Sequence, residues 1–150
     1  MNARDSALRL VAGEAEGYRL DEQVGYLLRK ANQRHLAIFA KAIPDLTPPQ
    51  FAALARLAEI GQASQNQLGQ SIAMDAATIK GVIDRLKVRG LVELSNHGSD
   101  RRRRVVSLTA AGRDLIERLV PLAASITGET LAPLTRREAE TLLRLLGKIA

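Results

Sequence analysis

Apolar residues recur at three- and four-residue steps from Val24: Leu27, Leu28, Ala31, Ile38, Phe39 and Ala42, with His35 on the same stripe. That spacing predicts a helix of roughly five turns with one apolar face. Asp21 is placed to cap it, and it ends near Pro44. Residues 1–20, with Gly13 and Gly17, show no clear period and predict a mobile arm or a short lead-in helix. Thr47-Pro48 starts a second helix, with Thr as N-cap and Pro where its missing N–H costs nothing. Phe51, Leu54, Leu57 and Ala58 form its predicted inner face, and Gly61 stops it.

Ser64 with Gln67 three residues later forms a capping-box pattern ahead of a short helix carrying Leu68 and Ile72. A turn at Ala73-Met74 leads to Asp75, which can cap a further helix whose inner face is Ile79, Val82, Ile83 and Leu86. Gly90 ends that helix. The period then changes. Val92–Leu94 and Val105–Leu108 are strand candidates, joined by a polar loop, Ser95 to Arg104, that holds Gly98 and four arginines. Thr109 caps a long helix with Leu115, Ile116, Leu119, Leu122 and Ile126 on one side, and Pro121 is expected to kink it. Thr135 and Glu138 form another capping box. The helix they open carries Leu142, Leu143, Leu145, Leu146 and Ile149.

This order of a short helix, a turn, a second helix and a hairpin is that of a winged helix-turn-helix. Composition agrees with it. The 150 residues hold 46% apolar residues but only 3% aromatics, so the core is aliphatic and favours helices. Cys is absent, which excludes a disulfide framework and thiol chemistry. No signal peptide is evident and no apolar run approaches the ~20 residues of a membrane span, so a cytoplasmic location without membrane contact is expected.

The net charge of +6 is unevenly placed. Residues 61–109 hold eight Lys/Arg against four Asp/Glu, whereas each flank differs from neutrality by one charge. A local basic excess is the footprint of a polyanion-binding face, although charge alone fits a solvated basic surface equally well. A helix fits the major groove with its N-terminal residues at base edges, and its N-terminus favours phosphate charge. The expected readers are Ala76, Ala77, Thr78, Lys80 and Gly81. Ala77 and Thr78 can meet a thymine methyl, and Lys80 a guanine edge or a phosphate. Gly81 either lets DNA approach the backbone or is a tolerated imperfection of about 1 kcal/mol. Ser64, Gln65 and Asn66 can donate to phosphates and position the unit.

These residues carry a resemblance. Residues 47–147 are similar to the MarR family of bacterial transcription regulators, from Thr47-Pro48 with Gln50-Phe51 and Leu54, through Leu68-Gly69, Asp75 with Thr78, Asp84-Arg85-Leu86 and Gly90-Leu91-Val92. Asp100-Arg101-Arg102 followed by Leu108-Thr109 and Gly112 is the specific part. The resemblance implies a mainly α fold with a small β-hairpin wing, in which 47–109 form a DNA-binding winged helix-turn-helix lobe. It implies that 21–46 and 110–150 supply N- and C-terminal dimerisation helices within a single domain spanning 1–150. It implies a homodimer on double-stranded DNA at a palindromic operator, acting as a repressor.

In that family the second wing arginine, here Arg102, enters the minor groove, Arg101 neighbours it at a phosphate, and Asp100 fixes the wing by ion pairing. Arg103 and Arg104 depart from the pattern; they either strengthen phosphate binding or alternate outward. Many members release DNA on binding a small aromatic acid, while others sense oxidants through Cys, a mode closed here. The resemblance places the effector between the dimer helices and the lobe. His35, Phe39, Phe51, Tyr18 and Arg19 are the candidates, with a core or interface role for His35 as the alternative. The faintest part of the resemblance is to regulators sensing hydroxylated aromatic carboxylates such as hydroxynicotinate.

Other classes find less support. His35 and His97 lack metal-ligand spacing, no Gly-rich phosphate loop is present, and no nucleophile elbow is evident, so no catalytic residue, metal or cofactor is expected. A ligand-independent DNA-binding regulator and a non-catalytic protein-interaction adaptor remain as alternatives, and the wing arginines discriminate between them.

Overall fold

The computed structural model describes residues 17–98 and 100–150, apart from the side chains of His97 and residues 100–103. The lead-in segment with Gly13 lies outside the described residues, as does Ser99. The chain divides into two compact units, Met1–Ala37 and Ile38–Ala150, with the boundary inside the first long helix.

In the first unit a single 3-10 turn, Leu20–Glu22, precedes helix α1, Val24–Ala42. Asp21 sits inside that turn and does not cap α1, a correction to the sequence reading. Gln23 marks the junction instead: its backbone carbonyl accepts from Leu27 at 3.0 Å and its side chain donates to the Arg19 carbonyl at 3.0 Å. Tyr26 lies under two cations of the next turn, Arg29 and Lys30, at 5.6 and 5.3 Å from the ring centroid.

The second unit begins with the last turn of α1. Helices α2 (Pro48–Ile60), α3 (Gln65–Ser71), α4 (Ala76–Val88), α5 (Ala110–Leu131) and α6 (Arg136–Ile149) follow, with strands β1 (Gln62–Ala63), β2 (Val92–His97) and β3 (Asp100–Leu108) between them. α2 starts as expected, with Thr47 and Gln50 exchanging hydrogen bonds in a full capping box. Ser64 and Gln67 do the same for α3, and Thr135 and Glu138 for α6. Asp75 and Thr109 cap α4 and α5 by accepting from the backbone N–H three residues on. Each cap satisfies N–H groups that the helix itself leaves unpaired.

One aliphatic core joins these elements. Leu54, Leu57, Leu68, Ile79, Ile83, Leu86, Val106 and Ile116 are at most 1% exposed. Each such side chain contributes about 1.5–3 kcal/mol by leaving water. α2 lies against α5, α4, α3 and the sheet, so its inner face is central. Ala53 belongs to that face; Ala58, expected there, is exposed. Leu122 is likewise exposed at 43%, while Ile116 and Ile126 carry the buried side of α5. Pro121, expected to kink α5, lies inside an uninterrupted helix of 22 residues.

The wing differs from the expected form. β2 and β3 pair antiparallel from Val92–Leu108 outward to Asn96–Arg104, with an irregularity between Asn96 and His97. The polar stretch Ser95 to Arg104 is thus mostly strand rather than loop. A third strand, β1, pairs Gln62 with Ser107 and Ala63 with Val106, giving the order β1-β3-β2.

Candidate nucleic-acid interface

The turn between α3 and α4 brings the two short helices close. The Met74 N–H reaches the Gly69 carbonyl at 2.8 Å and that of Ala73 reaches Gln70 at 3.4 Å, the two bonds of a Schellman motif. Ala73 occupies the left-handed position, φ 56°, that glycine usually fills. Gly69 meets α4: a Cβ there would lie 3.0 Å from Ile79 Cγ2 and 3.1 Å from the Met74 carbonyl oxygen. That contact explains Leu68-Gly69 in packing terms and holds α4 across α3.

α4 buries Ile79, Val82, Ile83 and Leu86 and leaves Ala76, Ala77, Thr78 and Lys80 exposed on its first turns. Small side chains there leave the helix slim enough to enter a groove. Lys80 Nζ pairs with Asp84 at 2.7 Å, both side chains more than half exposed. An exposed pair at this spacing stabilises by only about 0.3–0.5 kcal/mol, so it holds Lys80 weakly. At the N-terminus of α4 the expected cap is in place. Asp75 Oδ1 already accepts from Thr78 N–H at 2.7 Å, and this bond holds its carboxyl below the usual range. The carboxylate thus occupies the positive end of the helix, and Ala76, Ala77, Thr78 and Lys80 remain exposed after it.

Gly81 is half-buried, and a Cβ there would meet only Arg85 Nη1 at 3.8 Å, an ordinary contact. The free protein therefore has no packing reason for glycine. Gly81→Ala is expected to raise the melting temperature by roughly 2–4 °C, the equivalent of about 1 kcal/mol of helix propensity. It is also expected to weaken DNA binding, because Gly81 belongs to the face expected to read the major groove. Unchanged affinity in a gel shift would assign Gly81 to tolerated imperfection.

Ser64 is half-buried, and its Oγ accepts from Gln67 N–H at 3.2 Å while its hydroxyl hydrogen stays available to a phosphate. Gln65 is half-buried and Asn66 exposed in the first turn of α3. Arg101, Arg102 and Arg103 lie on β3 near the hairpin tip, and their side chains are outside the described residues. Arg104 is exposed and opposite Asn96. Lys80, Arg85, Lys87 and Arg89 on and just after α4 are also exposed, so the local basic excess is on the surface.

The effector candidates divide between the units. Phe39 and Phe51 meet edge-to-face, with centroids 6.0 Å apart and planes at 71°. Phe39 is a core residue, 6% exposed, and Phe51 packs beside it half-buried. Tyr18, Arg19 and His35 belong to the first unit. Tyr18 is 65% exposed, Arg19 pairs with Glu22 at 3.5 Å, and His35 is half-buried. Among the described residues no group of three or more His, Cys, Asp or Glu is placed to hold a metal ion.

Sequence reasoning missed the junction at the end of α4. The Arg89 guanidinium donates to the Asp45 carbonyl at 2.7 Å, and Thr109 Oγ1 donates to the Gly90 carbonyl at 2.6 Å. Partners 44 and 19 residues apart leave no local signal in the chain.

Comparison with known proteins places this geometry. The MarR family model matches residues 46–103. The chain is 43% identical over 134 residues to the HTH-type transcriptional repressor NicR of Pseudomonas putida, covering 88% of this chain and 85% of that protein. It is 52% identical to a probable transcriptional regulator of Pseudomonas aeruginosa, whose crystal structure superposes with a TM-score of 0.83 over 88% of this chain and 100% of that one. BpsR of Bordetella bronchiseptica, whose DNA binding is regulated by 6-hydroxynicotinic acid, is 44% identical, with a TM-score of 0.84 over 88% of this chain and 96% of its own.

Proposed function

The chain belongs to the MarR family of DNA-binding transcription regulators, and on that premise we propose that it is a homodimeric repressor released from its operator by a small aromatic acid. The observation that carries the DNA reading is the exposed first-turn face of α4, Ala76, Ala77, Thr78 and Lys80, beside a basic wing. Ala76, Ala77, Thr78, Lys80 and Gly81 read the major groove, Ser64, Gln65 and Asn66 hold phosphates, and Arg101, Arg102 and Arg103 work at the wing. Such a protein acts on DNA and catalyses nothing. No helix among the described residues is long and apolar enough to cross a membrane, in keeping with a cytoplasmic regulator.

Dimerisation is supported by α6. Leu142, Leu143, Leu145 and Ile149 are 37–69% exposed, and no residue of α6 is fully buried. An exposed apolar stripe of this kind marks a protein interface. Residues 21–46 and 110–150 would supply the pairing helices, which hold two copies of α4 about one DNA turn apart, at roughly 34–36 Å. An effector that binds another spacing more tightly then shifts the population away from DNA.

The effector class rests on the likeness to BpsR and on His35, one helical turn before Phe39. The direct test is a gel shift on DNA flanking the protein's own gene, with and without 6-hydroxynicotinic acid. A shifted band that the acid abolishes supports the whole reading. A shifted band indifferent to this and other aromatic acids leaves a ligand-independent regulator. In calorimetry, His35→Ala is expected to weaken 6-hydroxynicotinic acid binding at least about tenfold, the equivalent of about 1.4 kcal/mol. Undiminished affinity would remove His35 from the site and return it to packing.

A further inference from the structure

The end of α4 is tied to two remote parts of the second unit. Its helix closes in a Schellman motif, with the Leu91 N–H bonded to the Leu86 carbonyl at 3.0 Å and that of Gly90 to Lys87 at 2.9 Å. Gly90 takes the left-handed conformation that the motif demands, φ 71°. From this rigid end, Thr109 at the head of α5 binds the Gly90 carbonyl through Oγ1 and the Leu91 carbonyl through its N–H at 3.1 Å. On the other side Arg89 reaches the Asp45 carbonyl at 2.7 Å. Asp45 lies in the short link between α1 and α2, and that link is itself anchored, since Ile43 and Leu46 are 1% and 5% exposed. Phe39, whose carbonyl accepts from Ile43 N–H at 2.8 Å, stands one turn further back.

We propose that Arg89 is a positioning residue: its bond to the Asp45 carbonyl sets the angle at which α4 meets DNA and carries displacements of the α1–α2 link to α4. The inference rests on the DNA-binding reading above. A charge-assisted bond to a main-chain carbonyl is directional and short, whereas an exposed arginine held only by solvent would impose no angle. Ile79, Val82, Ile83 and Leu86 seat α4 in the core, and Arg89 on the link and Thr109 on α5 add two directional bonds at its C-terminal end. Any shift of the link must then be followed by α4 or break the Arg89 bond.

An exposed arginine beside a recognition helix is also a candidate phosphate contact, and salt dependence separates the two roles. The experiment uses the full chain and the duplex that the unaltered protein shifts, together with copies of that duplex whose central spacer is one base pair longer or shorter. Arg89→Ala is expected to lower affinity for the parent duplex about fivefold, the lower end of couplings between separate sites. The slope of log K against log salt is expected to stay unchanged. Discrimination between spacer lengths is expected to flatten, because α4 can now adjust. Arg89→Lys, which keeps one donor, should restore part of that discrimination.

A slope reduced by about 0.9 per subunit would make Arg89 a phosphate contact and overturn the proposal. A lower melting temperature with affinity and spacer preference both intact would overturn it too, leaving Arg89 a stabilising residue only. Should Arg89→Ala fail to fold, Arg89→Met keeps the aliphatic stem and is read by the same two criteria. Failure of the unaltered protein to bind any duplex removes the DNA-binding reading itself, which is seen before any variant is compared.

Discussion

A protein carrying both Arg101→Ala and Arg102→Ala is expected to bind its operator at least about a hundredfold more weakly than the unaltered chain at physiological salt. On the proposed function each of the two wings of a dimer loses a minor-groove arginine and a phosphate partner, and a base contact alone is worth about 1–3 kcal/mol. The slope of log K against log salt is expected to become shallower by about 0.9 per subunit, since one phosphate contact is lost at each wing. The melting temperature is expected to hold, because the wing tip is far from the aliphatic core in sequence register: core pairing on β3 begins with Val106 and Leu108. Gel shifts at several salt concentrations measure both quantities. If affinity and slope are both untouched, the wing does not bind DNA, and a protein-interaction role becomes the better reading.

Gly112→Ala produces the largest loss of stability expected from one methyl. Gly112 lies in the first turn of α5, where Thr109 Oγ1 accepts from its N–H at 3.1 Å. A Cβ at this position would overlap the Leu91 carbonyl oxygen and stand 3.0 Å from the carbonyl carbon. That carbonyl cannot withdraw, because Thr109 N–H holds it at 3.1 Å and Leu91 closes the Schellman motif of α4. Overpacking against backbone costs about 3 kcal/mol at the upper end of its usual range, a fall of roughly 6–12 °C in melting temperature for a chain of this size. Gly128, on the same helix, has nothing within 4 Å of a built Cβ. Gly128→Ala is therefore expected to be neutral or mildly stabilising. Equal melting temperatures for the two variants would show that α5 does not approach Leu91 as closely as described.

This clash also explains why Leu108-Thr109 followed by Gly112 carries so much of the family resemblance. Thr109 caps α5, binds Gly90, and needs a neighbour without a side chain to bring α5 against the end of α4. The motif was readable as letters; its cause lay in a contact across 21 residues of chain.

The caps at Thr47, Ser64, Asp75, Thr109 and Thr135, the buried face of α4, and Leu54 and Leu57 on α2 were legible because their causes are local. A capping side chain meets an N–H three residues on, and a helical stripe repeats within one element. The family was legible for the same reason, since its motifs are local spacings. What followed from pairing was not. Strand β1 is two residues long and exists only because Ser107 and Val106 lie opposite. The polar half of the wing, Ser95–His97 against Asp100–Val105, has no apolar alternation to reveal it, and strand partners alone make it extended. Asp21 had a capping residue's chemistry but a 3-10 turn took its place. The amino-acid sequence by itself determined the order of the helices, their caps, the buried face of α4 and the family. The tertiary structure alone decided where the recognition helix ends are tied, through Arg89 to Asp45 and Thr109 to Gly90. Those bonds join residues that no local period or spacing relates, and only the packed core brings them within reach.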